Sequence, residues 1–438
     1  MKIRYETLIL LLFICPLWSQ EQIIENQLSL EEAFSLAVKN SVQLKVSMFT
    51  AVLAREQTDI LKLNQLPGIS TGVTYGYLSN SDIWTPSFSG HRTVEFPHVL
   101  NQFSLQAAEV VFKGGLIKNS IKKSEQEEQI ADLRLQKNTE DIKFLVTAKY
   151  LDIFRSINQK KIYINNTKLS QQRLENILSM HKQGMVTQND VLRTELIISN
   201  LKIATLKADN NIDILNQQLN VILGLEKQTR LIPDPAVLNL PDEKLTIDDF
   251  LSEAKKKNYE IRIAAAEKDI SNTNLKITES DRYPEISLFA GSNLQRPFLN
   301  SMPAVDIFYN VWQAGVALRY NISSIYQVPR RLRSGNTALE QSNEKQVLAQ
   351  QEACLSVSSS FIKYKESREE LDILTDDLKS AEENYRIVEK KYLNQLALLA
   401  DMTDAINIKI ESEIRLTNAR INIIYTYYQL LKSAGMLE

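Results

Sequence analysis

The sequence predicts a mixed, mainly α fold, in which long coiled-coil helical hairpins carry two pairs of short β-strands. Three observations predict it. The chain is written twice, two very long stretches lack helix breakers, and the remaining glycine and proline gather around segments of strand chemistry.

The duplication comes first because everything else must obey it. Moving by 217 positions places Leu28 on Leu245, Glu31 on Asp248, Ala37 on Ala254, Leu44 on Ile261, Pro67 on Pro284 and Ser70 on Ser287. Later the offset is 211, which places Asp190 on Asp401, Gln218 on Gln429 and Gly224 on Gly435. A unit of about 200 residues is too long for a solenoid repeat. It implies two copies of one substructure about a pseudo-symmetry axis. The expected division is a leader at 1–20, a first repeat at 21–225, a linker at 226–244 and a second repeat at 245–438.

The leader has Lys2 and Arg4 ahead of the apolar run Leu8–Leu17, then Trp18-Ser19-Gln20. That is the pattern of a secretory signal. Cys15 follows Ile14, where a lipobox needs a small residue. Cleavage near residue 20 removes Cys15 and leaves Cys354 as the sole thiol, so neither an internal disulfide nor a cysteine-based metal site is expected. A net charge of −2 argues against a nucleic-acid partner. No run of apolar residues is long enough for a transmembrane helix. An exported soluble protein or a barrel-type membrane protein remains.

Each repeat opens with a helix, Ser29–Leu66 and Thr246–Arg282. Ser29 with Glu32, and Thr246 with Asp249, are spaced as capping boxes. Strand chemistry follows at Pro67–Ser79 and Gln102–Phe112, and again at Glu285–Gln295 and Trp312–Ile322. These segments alternate roughly, are rich in Tyr, Phe, Val and Gly, and are long enough to cross a bilayer as tilted strands. Turn-rich loops, 80–101 and 296–310, separate the members of each pair. On alternation alone, two hairpins capping a soluble bundle is the competing interpretation.

Leu116–Leu223 contains only Gly184 as a breaker, and Asn336–Ala434 contains none. Ile142, Leu145, Val146, Ile153 and Ile157, and later Ile406, Ile410, Ile414 and Ile421, recur at helical spacing. Each stretch folds back once. The first break is Gln183–Thr187, with Gly184 as the C-cap and Thr187 capping the next helix. The duplication puts the second at Asn394–Leu398, with Gln395 in the glycine position. One helix per repeat is then ~65 residues, on the order of 100 Å, with a partner of ~37. The proline-containing linker 226–244 reads as extended, pairing as a short strand against the helices.

Four strands cannot close a membrane barrel, since about eight is the practical minimum. Open sheet edges are not tolerated in lipid. If the hairpins are in a membrane, several chains pool their strands.

At this point the residues resemble a family, the TolC-like outer-membrane efflux proteins, over essentially the whole mature chain. The resemblance is carried by the opening LSLEEAFSLAVKNS, the Leu66-Pro67 entry into the first strand, Val111-Phe112-Lys113-Gly114-Gly115 leaving the second, and the paired tips Gln183–Leu192 and Lys391–Ala405. It implies a homotrimer with a 12-stranded β-barrel in the outer membrane of a Gram-negative bacterium. A helical α-barrel would continue through the periplasm to a periplasmic adaptor and an inner-membrane transporter. It also implies a pore constriction at Asp401 and Asp404, a hairpin-closing link between Asp190 and Tyr392, and adaptor-contact tips at Gly184, Met185, Val186, Gln395, Leu396 and Ala397. Some members carry an Arg just after the tip glycine, where this chain has Ala397.

Asp401 and Asp404, three apart, share a helix face and would stack two carboxylate rings in a trimer. Two solvated helix acids is the plainer interpretation, and for Asp190 it is helix-start capping. Tyr75, Tyr77, Phe103, Phe289, Trp312 and Tyr320 are candidates for lipid-facing girdles. His91, His98 and His181 read as solvated histidines, and no catalytic set, cofactor site or metal site is visible. The expectation is a non-enzymatic exit duct for small molecules, metal ions or proteins, with a soluble periplasmic coiled-coil adaptor as the rival.

Overall fold

The opening helices of the two repeats start with the same chemistry. The computed structural model describes residues 24–226, 228–239 and 245–437. The expected leader and Cys15 lie outside the described residues, as does much of the end of the linker.

The chain starts with β1 (Ile24–Leu28), α1 (Leu30–Asn40) and α2 (Val42–Lys62). Ser29 and Glu32 close a full capping box at the start of α1. The opening helix expected to run unbroken is interrupted at Ser41, which lies at φ −56° and ψ 121°. Next come β2 (Gly68–Tyr77), β3 (Ser81–Trp84), β4 (His91–Val94) and β5 (Val99–Phe112). The β3–β4 hairpin forms inside what the sequence presents as a loop. Gly114, at φ +55°, makes the turn into the next helix. A Cβ there would meet Tyr283 Cδ2 at 2.6 Å and the Ser280 carbonyl oxygen at 2.7 Å, so only glycine fits.

The first helical hairpin is α3 (Leu116–Lys182) and α4 (Gln188–Leu223), of 67 and 36 residues. β6 (Thr229–Pro233) follows and pairs in parallel with β1. The linker strand is also pinned to α4: Leu231 N donates to Asn216 Oδ1 at 2.9 Å, and Asn220 Nδ2 donates to the Thr229 carbonyl at 2.7 Å. The second repeat runs α5 (Ile247–Lys257), α6 (Tyr259–Ser280), β7 (Glu285–Arg296), β8 (Tyr309–Arg319), α7 (Ser324–Leu393) and α8 (Leu399–Ser433). Thr246 and Asp249 repeat the capping box, and Asn258 repeats the interruption, its Oδ1 accepting from Glu260 N and Ile261 N. Helix α7 runs for 70 residues and accommodates Pro329 in its second turn, at the loss of one backbone hydrogen bond. β8 begins three residues earlier than the strand expected at Trp312.

The described residues form two compact units. The first gathers residues up to Ser41 with those of Leu145–Pro241 and Glu366–Tyr425; the second holds Val42–Phe144, those of Asp242–Lys365 and Thr426 onward. A polar device repeats once in each. In the first, Asn40 Nδ2 donates to the Leu223 carbonyl at 2.8 Å, beside Gly224 at φ +67°. In the second, Asn258 Nδ2 donates to the Ser433 carbonyl at 3.0 Å, beside Gly435 at φ +69°. Gly224 and Gly435 sit where the 211-residue offset puts them.

Candidate functional site

In the first unit the hairpin tips are built as a matched pair. At the end of α3, Gly184 N donates to the His181 carbonyl and Met185 N to the Met180 carbonyl, both at 2.9 Å. At the end of α7, Gln395 N donates to the Tyr392 carbonyl at 2.9 Å and Leu396 N to the Lys391 carbonyl at 2.8 Å. Both are Schellman caps, which need a left-handed residue. Gly184 supplies it at φ +73° and Gln395 at φ +61°, so Gln395 does occupy the glycine position. The next residues, Met185 and Leu396, are exposed, 49% and 77% respectively. The third of each triplet, Val186 and Ala397, tucks into a core of Ile177, Val191, Tyr392, Leu399, Met402 and Ile406.

The acids at the returning helices cap them. Asp190 Oδ2 accepts from Thr187 N and Thr187 Oγ1, both at 2.9 Å, completing a capping box. Asp401 Oδ2 accepts from Leu398 N at 3.0 Å, with no hydroxyl to reciprocate because Leu398 stands where Thr187 does. Asp401 and Asp404 are both exposed and point away from the tip core. Tyr392 is 6% exposed and its Oη carries no hydrogen bond. Burial and then the negative charge of Asp190 raise its pKa. No hydrogen bond joins the expected pair: Asp190 keeps its capping bonds, and Tyr392 Oη stays unpartnered.

A polar layer lies further along the same hairpins and was missed from the sequence. Arg173 Nη2 donates to Tyr385 Oη at 2.6 Å, and Tyr385 Oη donates to Glu389 Oε1 at 2.6 Å. Arg173 Nη2 lies 3.8 Å from Glu389 Oε1, and the Lys409 ammonium sits 4.9 Å from the centre of the Tyr385 ring. Burial and the Glu389 hydrogen bond raise the Tyr385 pKa. The layer ties α3 to α7. Only the 9% exposure of Arg173, unusual for that residue, marks the site.

In the second unit, β2, β5, β7 and β8 form one antiparallel sheet in that order. The register separates its faces cleanly. One face carries Ile69, Val73, Tyr75, Phe103, Leu105, Leu288, Trp312, Val316 and Leu318, all exposed, with Glu109 near its base. The other carries Ser70, Thr74, Gln102, Ser104, Gln106, Asn293, Gln295 and Gln313. Tyr75, Phe103 and Trp312 fall on the apolar face, as a lipid girdle requires. Phe289 does not. It lies on the polar face, where its ring fills the space above Gly315.

An exposed apolar face on a sheet whose partner face is hydrophilic is the arrangement of a membrane barrel wall. Residues 250–435 match the family described as outer membrane efflux protein. That match covers the second repeat of the chain, which as a whole resembles the TolC-like outer-membrane efflux proteins. Over nearly its whole length the chain shares its fold with solved outer-membrane channels. VceC of Vibrio cholerae superposes with a TM-score of 0.77 at 12% identity, covering 93% of this chain and 96% of that one. CmeC of Campylobacter jejuni gives 0.75 at 12%, covering 93% and 85%. MtrE of Neisseria gonorrhoeae gives 0.71 at 15%, covering 93% and 89%. No curated protein sequence matches the chain. The fold is thus that of outer-membrane channels, and the soluble-scaffold rival finds no support.

Proposed function

We propose that this chain is an outer-membrane efflux protein, one third of an exit duct, a homotrimer that passes cargo from a periplasmic adaptor and inner-membrane transporter to the cell exterior. The observation that carries the reading is the four-stranded sheet with one apolar face and, among the described residues, no neighbour for the outer edges of β2 and β8. In hydrocarbon each unpaired backbone group costs several kcal/mol, so these edges pair between copies. Strand β8 of one copy runs antiparallel to β2 of the next, and head-to-tail contacts of this kind close into a ring. Two, three or four copies give even strand numbers in the permitted range; three is the number the family resemblance supports.

Within that trimer the repeats 21–225 and 245–438 supply equivalent hairpins to a helical tunnel. The triplets Gly184-Met185-Val186 and Gln395-Leu396-Ala397 offer the adaptor their exposed Met185 and Leu396. Asp190 with Tyr392 helps hold the hairpins closed, and the Arg173–Tyr385–Glu389 layer reinforces them where Ala397 replaces an arginine. Asp401 and Asp404 ring the narrow end. Specificity for small molecules, metal ions or proteins rests with the pump.

Analytical ultracentrifugation of detergent-extracted outer-membrane protein tests the assembly. A particle of three chains is expected. A stable monomer that needs no detergent overturns the reading.

A further inference from the structure

The polar face of the sheet holds a pocket of ≈ 470 Å³ in which Gln106, Phe289, Asn293, Asn300 and Gln313 converge. Its floor is hollowed by glycine. A Cβ on Gly291 would stand 3.3 Å from the Leu105 carbonyl oxygen, and one on Gly315 would come within 2.9 Å of Phe289 Cζ. The Phe289 ring therefore lies close against Gly315, where a side chain would displace it, and borders the pocket. Asn300 comes from the β7–β8 loop. That loop is held in place by the paired Arg296–Asp306 hydrogen bonds at 2.7 and 2.8 Å, and by Phe298 set edge-on to Tyr309.

Two features distinguish this pocket from a merely wet wall. Between the ends of the strands the face carries no Asp, Glu, Lys, Arg or His. From Ser287 to Gln295 on β7, and from Tyr309 to Ala317 on β8, every residue on it is an amide, a hydroxyl, an aromatic ring or a small apolar group. Its amides also divide into two sets. Gln102 Nε2 donates to Asn293 Oδ1, and Asn293 Nδ2 to Gln295 Oε1, each at 3.2 Å. Gln106, Gln313 and Asn300 make no side-chain hydrogen bond among the described residues and all three border the pocket. An aromatic face beside unpaired, neutral donors and acceptors selects planar, uncharged molecules with hydrogen-bonding groups. A carboxylate or ammonium would lose water there without gaining a counter-charge.

We propose that this pocket is a cargo-contact site that transiently holds uncharged aromatic solutes bearing amide-like groups, with Phe289 as stacking platform and Gln106 and Gln313 as hydrogen-bonding walls. The inference rests on the duct reading, which places this face toward the lumen. The test uses the reconstituted full-length channel in planar bilayers, with N-acetyltryptophanamide as the neutral probe and N-acetyltryptophan and tryptamine as its charged counterparts. The neutral probe is expected to interrupt the current in resolved events, with charged probes at least tenfold less effective. Phe289→Leu and Gln313→Leu are expected to shorten the events about tenfold each while leaving the open-channel conductance within twofold. Equal block by all three probes overturns the site, as do unchanged events in both variants or a normal channel that none of the probes blocks. Absence of any conductance step in the unaltered protein instead overturns the duct reading itself, and this inference with it.

Discussion

Single residues carry much of the tip geometry, and Gln395 is the clearest case. Its φ of +61° is a conformation that L side chains adopt at a cost of about 1 kcal/mol and glycine adopts freely. Gln395→Gly is expected to raise stability by roughly 0.5–1 kcal/mol, while Gly184→Ala lowers it by about 1 kcal/mol; thermal melts of the detergent-solubilised protein read both. Glu140 offers a pH-dependent counterpart. It is 7% exposed and accepts from Leu437 N at 3.4 Å, with Lys432 tied to Asp141 at 2.7 Å close by. Burial pushes its carboxyl from the ordinary 4.5 up to about 7, against the Leu437 hydrogen bond and the Lys432 charge. Between those two values the folded protein holds a proton that the unfolded chain releases. Stability from this group therefore falls as pH rises from about 4.5 to about 7. Glu140→Gln is expected to remove that slope and to melt higher than the unaltered protein at pH 8. An unchanged slope would show that Glu140 stays ionised in the folded state.

Elements are stabilised at their ends, and there the two repeats differ in a measurable way. Helix α4 begins with a complete capping box, whereas α8 begins with Leu398, so only the Asp401 half remains. Thr187→Val is expected to cost about 1 kcal/mol, and Leu398→Thr to gain a similar amount by restoring the missing half. Amide exchange in the first turns of α4 and α8 should move in opposite directions in the two variants. This level was also the most legible in the sequence. Long breaker-free stretches mark the four hairpin helices, and the 211-residue offset alone assigns Gln395 its turn. The breaks at Ser41 and Asn258 stayed hidden because they use neither glycine nor proline; an asparagine side chain replaces the interrupted backbone bonds at α6. The β3–β4 hairpin was obscured by the turn-rich sequence around it. Phe289 was assigned to lipid by residue type, although its position parity on β7, fixed by pairing with β5 and β8, puts it opposite Leu288. The Arg173–Tyr385–Glu389 layer joins residues more than 200 positions apart, a separation at which neither periodicity nor motif spacing gives a signal.

At the scale of the proposed assembly, the acids past the second tip carry the sharpest test, because capping and charge meet in Asp401. Its Oδ2 holds Leu398 N at the start of α8, yet the side chain stays exposed on the same helix face as Asp404. Three copies would bring six carboxylates together at the narrow end, raising the local cation concentration and disfavouring anions. Alanine at 401 would confound this field with a lost helix cap, since capping is worth about 1 kcal/mol by itself. Asparagine separates the two, because it retains an acceptor for Leu398 N while discarding the charge. Asp401→Asn with Asp404→Asn is therefore expected to fold and trimerise normally and to lose most of the cation preference in reversal-potential measurements. Block by divalent cations is expected to weaken at least tenfold, and the loss should be larger at 0.1 M than at 1 M salt, where charges more than about 3 Å apart are screened. An unaltered reversal potential in the double variant would confine Asp401 to capping and place the selectivity of the duct elsewhere along its bore.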